Sequence, residues 1–197
     1  MNYTLPKRLD IHGAEYAIRW DFRAALDICA ALSDPELDDR ERALAALMIF
    51  YPELERMPPE DMEEALRRCF WFLNGGEEER SAKPQRKLMD WEQDFGLIVG
   101  PVNRVLGADV RGMEQLHWWT FLAAYMEIGD CMFAQVVAIR KKRAEGRKLS
   151  KEDRAFYREN HELVDLRTHY TEEEEAVLAM MGGAGSNSKE VIPNAEI

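Results

Sequence analysis

The sequence has few cysteines, no long apolar run and fewer positively charged than negatively charged residues. Its three cysteines, Cys29, Cys69 and Cys131, are widely spaced among apolar neighbours, which indicates free thiols in a reducing compartment and not a disulfide framework. No apolar stretch approaches the roughly 20 residues of a membrane helix. The amino terminus, MNYTLPKRLD, also lacks the apolar centre of a secretion signal. These absences predict a cytosolic protein without a membrane anchor.

The shortage of positive charge argues against general binding to nucleic acid. The chain has 26 lysines and arginines against 37 aspartates and glutamates, a formal net charge of −11, whereas a phosphate-binding surface needs a surplus of cations. One basic stretch, IRKKRAEGRKLSK at 139–151, runs against this balance. Cations are favourable at a helix C-terminus, so we interpret the stretch as a solvated helix end, with phosphate contact as the alternative.

The chain also lacks the motifs of common catalytic, phosphate and metal sites. It has no GxSxG and no CxxC, and the glycine pairs at 75–76 and 182–183 follow predicted helices, where they indicate C-terminal caps. His161, Asp165 and His169 recur at four-residue steps. The two histidines would nevertheless lie about 12 Å apart along a helix, too far for one ion. We therefore expect a non-enzymatic protein with no metal and no cofactor.

What the chain does have is helical periodicity over most of its length. Two short strands, Arg8 to Ile11 and Glu15 to Arg19, are predicted around a His12-Gly13 turn. Thereafter the apolar residues follow helical spacing between capping and stop signals. The predicted helices lie in DFRAALDICAAL, DDRERALAALMIFYP, PPEDMEEALRRCFWFLNGG, MDWEQDFGLIVGPVNRVLG, Met113 to Ile128, DCMFAQVVAIRKKR, SKEDRAFYRENHELVDL and Thr171 to Met181.

These elements predict a mainly α fold, a single-domain helical bundle over residues 1–181 with a short N-terminal β-hairpin. A charged stretch with helix-breaking residues at 75–87 is the predicted mobile linker within the domain. Residues 182–197 have the composition of a disordered, flexible C-terminal tail. At Gly100-Pro101 we expect a kink or a break, because proline removes a backbone donor from the helix.

The stretch LHWWTFLAAY at 116–125 is compatible with a catalytic pocket, a stacking platform for a ligand, or part of a core. A general base at His117 would need a nucleophile or an orienting carboxylate, and the sequence offers no GxSxG, no CxxC and no conspicuous serine. The surrounding helix is apolar on nearly all sides, which is typical of a buried helix. The core interpretation is therefore preferred. The predicted core aromatic residues are Trp118, Trp119, Phe121, Trp91 and Phe95.

Trp71 does not fit this apolar pattern. On its helix it lies toward the side that carries Glu64, Arg67 and Arg68. Either another element covers it, or it contacts a partner, since aromatic residues anchor interfaces. A methionine-rich stripe near the C-terminus, VLAMM, is also suited to varied partners. The predicted partner-binding residues are Trp71, Val177, Leu178, Met180 and Met181.

Four stretches, taken in order, resemble a known protein family. They are IHGAEYAIRWDFR, DWEQDF, LHWWTFLAAYMEIGD and IRKKRAEGRKLSKEDRAFYRENHELVDL, which together run from Ile11 to Leu166. The family is that of tail-module proteins of long-tailed bacteriophages and prophages of Gram-positive bacteria. LHWW and DWEQDF are the most specific pieces, because tryptophan is rare and both the order and the spacing match.

The resemblance implies a tail assembly chaperone-like protein that acts in the host cytoplasm during virion morphogenesis. Such a protein would bind the tape-measure protein, with other tail proteins as further candidate partners, and the family has no catalytic residues to carry over. Two alternatives stay open. The first is a minor structural component of the finished tail. The second is a regulatory nucleic-acid-binding protein that uses the basic stretch.

Overall fold

The structure, a computed structural model, describes residues 4–78 and 86–167. These residues are mainly helical with one short N-terminal hairpin, which confirms the predicted fold class. The tail predicted at 182–197 and the helix predicted from Thr171 to Met181 lie outside them, as does most of the linker predicted at 75–87. The elements are β1 Arg8–Ile11, β2 Ala14–Ala17, α1 Phe22–Ser33, α2 Asp39–Phe50, α3 Met62–Leu73, α4 Trp91–Leu106, α5 Trp118–Met126, α6 Met132–Ala144, α7 Lys151–Glu159 and α8 His161–Val164.

The two strands form an antiparallel hairpin with a two-residue turn. His12 and Gly13 make this turn with φ angles of 50° and 88°, the left-handed backbone that matches the twist of a tight hairpin. The second strand ends at Ala17 and not at the predicted Arg19. The N–H of Ile18 still donates to the carbonyl of Lys7, but that of Arg19 donates to the carbonyl of Phe50 in α2, so the chain leaves the hairpin there.

His12 also ties the hairpin turn to the residue before α3. Its Nδ1 lies 2.8 Å from Oδ1 of Asp61, and this hydrogen bond raises the pKa of His12. The folded state therefore holds the imidazolium proton more tightly than the unfolded chain does. The resulting stabilisation is complete below the unfolded pKa and is lost as the pH rises through the folded pKa.

We expect the stability advantage of the natural protein over a His12→Asn variant to shrink as the pH rises from about 5.5 to about 8. Asparagine tolerates the left-handed backbone but does not titrate, so the comparison isolates the charge. Urea unfolding of both proteins at the two pH values measures the difference. An advantage that stays constant or grows with pH would contradict the assigned role of His12.

Side-chain caps begin several of the helices where the sequence predicts. Asp38 forms a capping box with Glu41 at α2, and Ser150 forms one with Asp153 at α7. Asp21 caps α1 by accepting a hydrogen bond from a backbone N–H of the first turn. Each cap satisfies a backbone donor that has no partner inside the helix, which stabilises a helix by about 1 kcal/mol.

Two predicted helix boundaries are wrong. The helix expected from Met113 begins only at Trp118, because His117 occupies the N-cap and its ring accepts from the backbone N–H of Trp119. The single helix expected in SKEDRAFYRENHELVDL is divided at Asn160 into α7 and α8. There Asn160 leaves the helical backbone conformation, with φ −131° and ψ 30°, and its side chain donates to the carbonyl of Phe156 at the end of α7.

Proline does not divide α4, which continues through Pro101 from Trp91 to Leu106. The break considered for this position is therefore absent. Ile98 and Val102, on either side of the proline, are both fully buried. Packing on this face holds the helix together although proline removes one backbone hydrogen bond.

The described residues pack around a main core and a second, smaller one. The main core joins the hairpin to α1, α2, α3, α4, α5 and the start of α6. The second core holds Val136 and Ile139 of α6 against Val164 of α8, and Leu97 of α4 packs against both cores. None of the helices in residues 4–78 and 86–167 is long and apolar enough to cross a membrane.

The three cysteines are free thiols, as the sequence predicts. Cys69 is buried, while Cys29 and Cys131 are partly buried. Burial raises the pKa of Cys29 to about 11 and that of Cys69 to about 12. Both thiols are thus held in the protonated, unreactive form at neutral pH.

Candidate partner-binding surface

His117 has a structural role at the start of α5. Its Nδ1 accepts a hydrogen bond from the N–H of Trp119 at 3.1 Å, and its Nε2 lies 2.9 Å from the carbonyl oxygen of Pro6. Both ring nitrogens are therefore engaged, and this geometry fits the neutral tautomer with the proton on Nε2. Burial lowers the pKa of His117 and favours the same neutral form. The arrangement is that of a helix cap joined to the N-terminal segment, not of a general base.

The two tryptophans of LHWW fasten α5 to the end of α3. The indole N–H of Trp118 donates to the carbonyl of Leu73 at 3.0 Å, and that of Trp119 donates to the carbonyl of Phe72 at 2.8 Å. Carbonyls in the last turn of a helix lack the regular helical donor, so the indole of Trp118 satisfies an open acceptor at Leu73. The carbonyl of Phe72 also accepts from the backbone N–H of Gly75, and the Trp119 indole adds a second hydrogen bond to it. Although the two rings point in different directions, both contact the end of α3.

The structure brings together most of the predicted aromatic residues. Trp118 and Phe121 are buried, while Trp91, Phe95 and Trp119 are partly buried and pack against the main core. The Trp91 ring lies edge-on to Trp118 at 5.6 Å between centroids. The sequence pattern predicts that α5 is buried on all sides. It is not, because its last residue, Met126, is 81% exposed.

Trp71 is partly buried and lies against the outer tryptophan of LHWW. The Trp71 and Trp119 rings meet edge to face at 5.3 Å between centroids, and the Arg68 guanidinium lies 5.9 Å from the Trp71 ring centre. The coverage expected for Trp71 is thus supplied in part by α5. Its partner contact stays a prediction. Val177, Leu178, Met180 and Met181 lie outside the described residues.

Gly76 permits the close approach of the Trp119 ring. A Cβ at Gly76 would stand 2.7 Å from Cη2 of Trp119, whereas a Cβ at Gly75 would have only an ordinary contact with Leu122 at 3.7 Å. Both glycines have positive φ angles, 71° at Gly75 and 89° at Gly76. Gly75 is therefore a control that shares the backbone strain of an alanine substitution but not the steric clash.

We expect Gly76→Ala to lower the free energy of unfolding by about 1 to 3 kcal/mol more than Gly75→Ala does, because only the former overpacks the Trp119 ring. Chemical denaturation of the two variants measures this difference, and tryptophan fluorescence reports whether the ring has moved. Equal losses would show that backbone strain alone accounts for both.

The described residues also expose apolar side chains that the sequence pattern did not single out. Met126 and Met132, which is 51% exposed, flank the turn between α5 and α6. Arg104 Nη2 donates to the carbonyl of Ile128 at 2.6 Å, which joins the last turn of α4 to this turn. We call Met126 and Met132 the α5–α6 patch.

The α5–α6 patch lies beside acidic side chains. Glu127 and Asp130 are exposed in the turn between the two methionines. A second apolar pair, Leu44 and Met48, is exposed one helical turn apart on α2. The sequence did contain a signal for Met126, because Glu127 and Gly129 mark the end of the helix, where burial on all sides ceases.

The basic stretch at 139–151 meets carboxylates of the same chain. Arg140 is buried and pairs with Asp94 at 2.6 Å. Lys142 pairs with Asp153 at 2.6 Å, and Arg143 pairs with Asp165. Much of the positive charge is therefore compensated locally, which disfavours the interpretation of this stretch as a phosphate-binding surface.

Across the described part of the chain, no group of three or more histidine, cysteine or acidic side chains has the arrangement of a metal site. Asp165, which the sequence places in a four-residue repeat with His161 and His169, accepts a hydrogen bond from Tyr157 at 2.9 Å and an ion pair from Arg143. His169 lies outside the described residues. Asp165 thus has a structural partner in its own domain.

A protein-family model described as "Bacteriophage Gp15 protein" matches residues 1–166. All of the elements from β1 to α8 fall within the matched residues. No curated protein and no solved structure matches the chain significantly.

Proposed function

Because the chain belongs to the bacteriophage Gp15 protein family, we propose that it is a tail assembly chaperone-like protein that binds the tape-measure protein in the host cytoplasm. The family match over residues 1–166 is the observation that carries the proposal, since it makes the chain a bacteriophage protein. The tail-module resemblance of LHWW and DWEQDF supplies the more specific role. We propose no enzymatic activity.

The exposed side chains support a binding role of this kind. The resemblance implies a partner that is long, helical and apolar before the tail tube encloses it. A chaperone for such a chain needs accessible apolar side chains on a charged body, so that a helix can lie on the surface by its apolar face. The α5–α6 patch has two methionines, whose flexible side chains adapt to different partner sequences. The net charge of −11 favours solubility of the resulting complex.

Co-expression with the tape-measure protein of the same phage genome tests the proposal. We expect the tape-measure protein to be soluble and to co-purify with the natural chain in moderate salt. A Met126→Ser/Met132→Ser double variant should bind roughly tenfold more weakly or worse, because each buried methionine contributes about 1.5 to 3 kcal/mol.

Leu44→Ser/Met48→Ser is the matched control, since it removes the same kind of exposed apolar surface from α2. This control should bind like the natural chain. A tape-measure protein that stays insoluble and unbound would contradict the chaperone role. Equal effects of the two double variants would contradict the placement of the contact on the α5–α6 patch.

A further inference from the structure

Residues 150–165, which contain α7 and α8, lie against α6 and α4, and we call them the cover. α7 has no buried residue, and α8 has one, Val164. The apolar contacts of the cover belong to the second core, which is distinct from the main core. A segment with so little buried apolar surface opens at a lower free energy than the elements of the main core.

Arg140 holds the end of the cover but does not depend on it. Its Nε donates to the carbonyl of Val164 and its Nη2 to that of Leu163, both at 2.7 Å. These are carbonyls at the end of α8, where a helix leaves its acceptors free. The other hydrogen bonds of Arg140 go to Asp94 and to the carbonyl of Leu88. When α8 leaves, the ion pair therefore stays intact, and water can replace the two lost acceptors.

Opening of the cover would expose a groove on α4 and α6. Its floor consists of Val136 and Ile139 of α6 and Leu97 of α4. Met132, already exposed, stands four residues before Val136 and so lies on the same side of α6. Opening of the cover would thus leave a continuous row of exposed apolar side chains, from the α5–α6 patch along α6 to Arg140.

The charges beside this groove define the chemistry of an occupant. Lys142 and Arg143 border it and pair with Asp153 and Asp165 of the cover. Any replacement must present carboxylates to these cations, an apolar side chain to the floor and free carbonyls to Arg140. An amphipathic helix that bears carboxylates and ends at Arg140 meets all three requirements.

We infer that the cover is a releasable internal ligand and that the groove beneath it takes a carboxylate-bearing amphipathic helix of the tape-measure protein, with the helix C-terminus against Arg140. The identity of this partner rests on the proposed function, whereas release of the cover does not. The closed cover keeps the groove occupied until a partner helix replaces it.

Hydrogen exchange of the natural full-length chain tests release without any substitution. We expect the protected amides of the cover to exchange roughly tenfold faster or more than those of α1, α3 and α5, because the cover opens without global unfolding. Equal protection of the cover and the main core would overturn the inference.

A full-length Val164→Asp variant tests whether the groove accepts a helix from outside. A charge at this buried position should detach the cover. We then expect a labelled peptide with the sequence of residues 150–167 to bind this variant at least roughly tenfold more tightly than it binds the natural chain, in which the cover competes. A peptide with Asp153→Asn and Asp165→Asn should bind more weakly. Arg158→Asp, a change at an exposed position of α7, is the control and should behave like the natural chain.

Global unfolding of Val164→Asp, seen as loss of the near-ultraviolet circular dichroism of the aromatic side chains, would overturn the inference, as would a folded variant that does not bind the peptide. With the tape-measure protein as probe, Val164→Asp should bind more tightly than the natural chain. Equal binding would show that the cover and the tape-measure helix do not compete for the groove, which would overturn the inference. If neither the natural chain nor Val164→Asp binds the tape-measure protein, the proposed function and its partner assignment fail. Hydrogen exchange and binding of the 150–167 peptide still decide whether the cover is releasable.

Discussion

Replacement of Arg140 by methionine should lower the free energy of unfolding by about 3 to 5 kcal/mol, because it leaves a buried carboxylate without its cation. The Asp94 residue is 0% exposed, and Nη1 and Nη2 of Arg140 donate to its two carboxylate oxygens at 2.6 and 2.9 Å. Asp94 also accepts from the backbone N–H of Asp90, which cannot compensate a full charge. Chemical denaturation followed by circular dichroism measures the loss.

Two further variants separate the lost ion pair from the lost packing. Arg140→Lys keeps the positive charge but cannot form the two-pronged contact or reach both carbonyls of α8, so an intermediate loss is expected. Arg140→Met combined with Asp94→Leu should recover part of the stability, since it removes the unpaired buried charge. The recovery is incomplete because the carbonyls of Leu88, Leu163 and Val164 lose their donor. If Arg140→Met alone costs less than about 1 kcal/mol, Asp94 is not held as a buried anion.

The sequence shows Arg140 on a helix face with apolar residues but does not show its partner. Asp94 lies 46 positions earlier along the chain. The sequence reports local relations best, because a cap and the groups it bonds are only a few residues apart, as with Asp38 and Glu41 at α2. Pairing between α4 and α6 depends on how the helices pack, and no periodic pattern specifies that packing.

The same reasoning explains why α5 was only partly predicted. Apolar residues on nearly all sides of the segment 113–128 indicate burial, and Trp118 and Phe121 are indeed buried. However, the pattern did not reveal that His117 would cap the helix, and its stop signal at Gly129 placed the end at Ile128, two residues after the exposed Met126 where the helix ends. These features depend on tertiary contacts, since the carbonyl of Pro6 and the end of α3 fix where the helix lies. They also decide which apolar residues remain available to a partner.

Replacement of Trp118 by alanine should cost about 3 to 5 kcal/mol, the range for a large aromatic residue removed from a core. Trp118 is 2% exposed, its ring stacks on Phe121 at 5.7 Å between centroids, and its N–H satisfies the carbonyl of Leu73. Trp118→Phe keeps much of the volume but leaves that carbonyl without its donor, so it should cost about 1 to 3 kcal/mol. Denaturant titrations of the two variants measure both effects.

The neighbouring tryptophan provides a comparison with a different expected outcome. Trp119 is partly buried, so Trp119→Ala should be less destabilising than Trp118→Ala, and the protein should remain folded. In the Trp119→Ala background, Gly76→Ala should lose most of its excess cost over Gly75→Ala, because the ring that the new Cβ would strike is gone. An excess that persists without the ring would show that Gly76 is needed for its backbone conformation alone. Its disappearance would establish that the fit of Trp119 over Gly76 joins α5 to the end of α3.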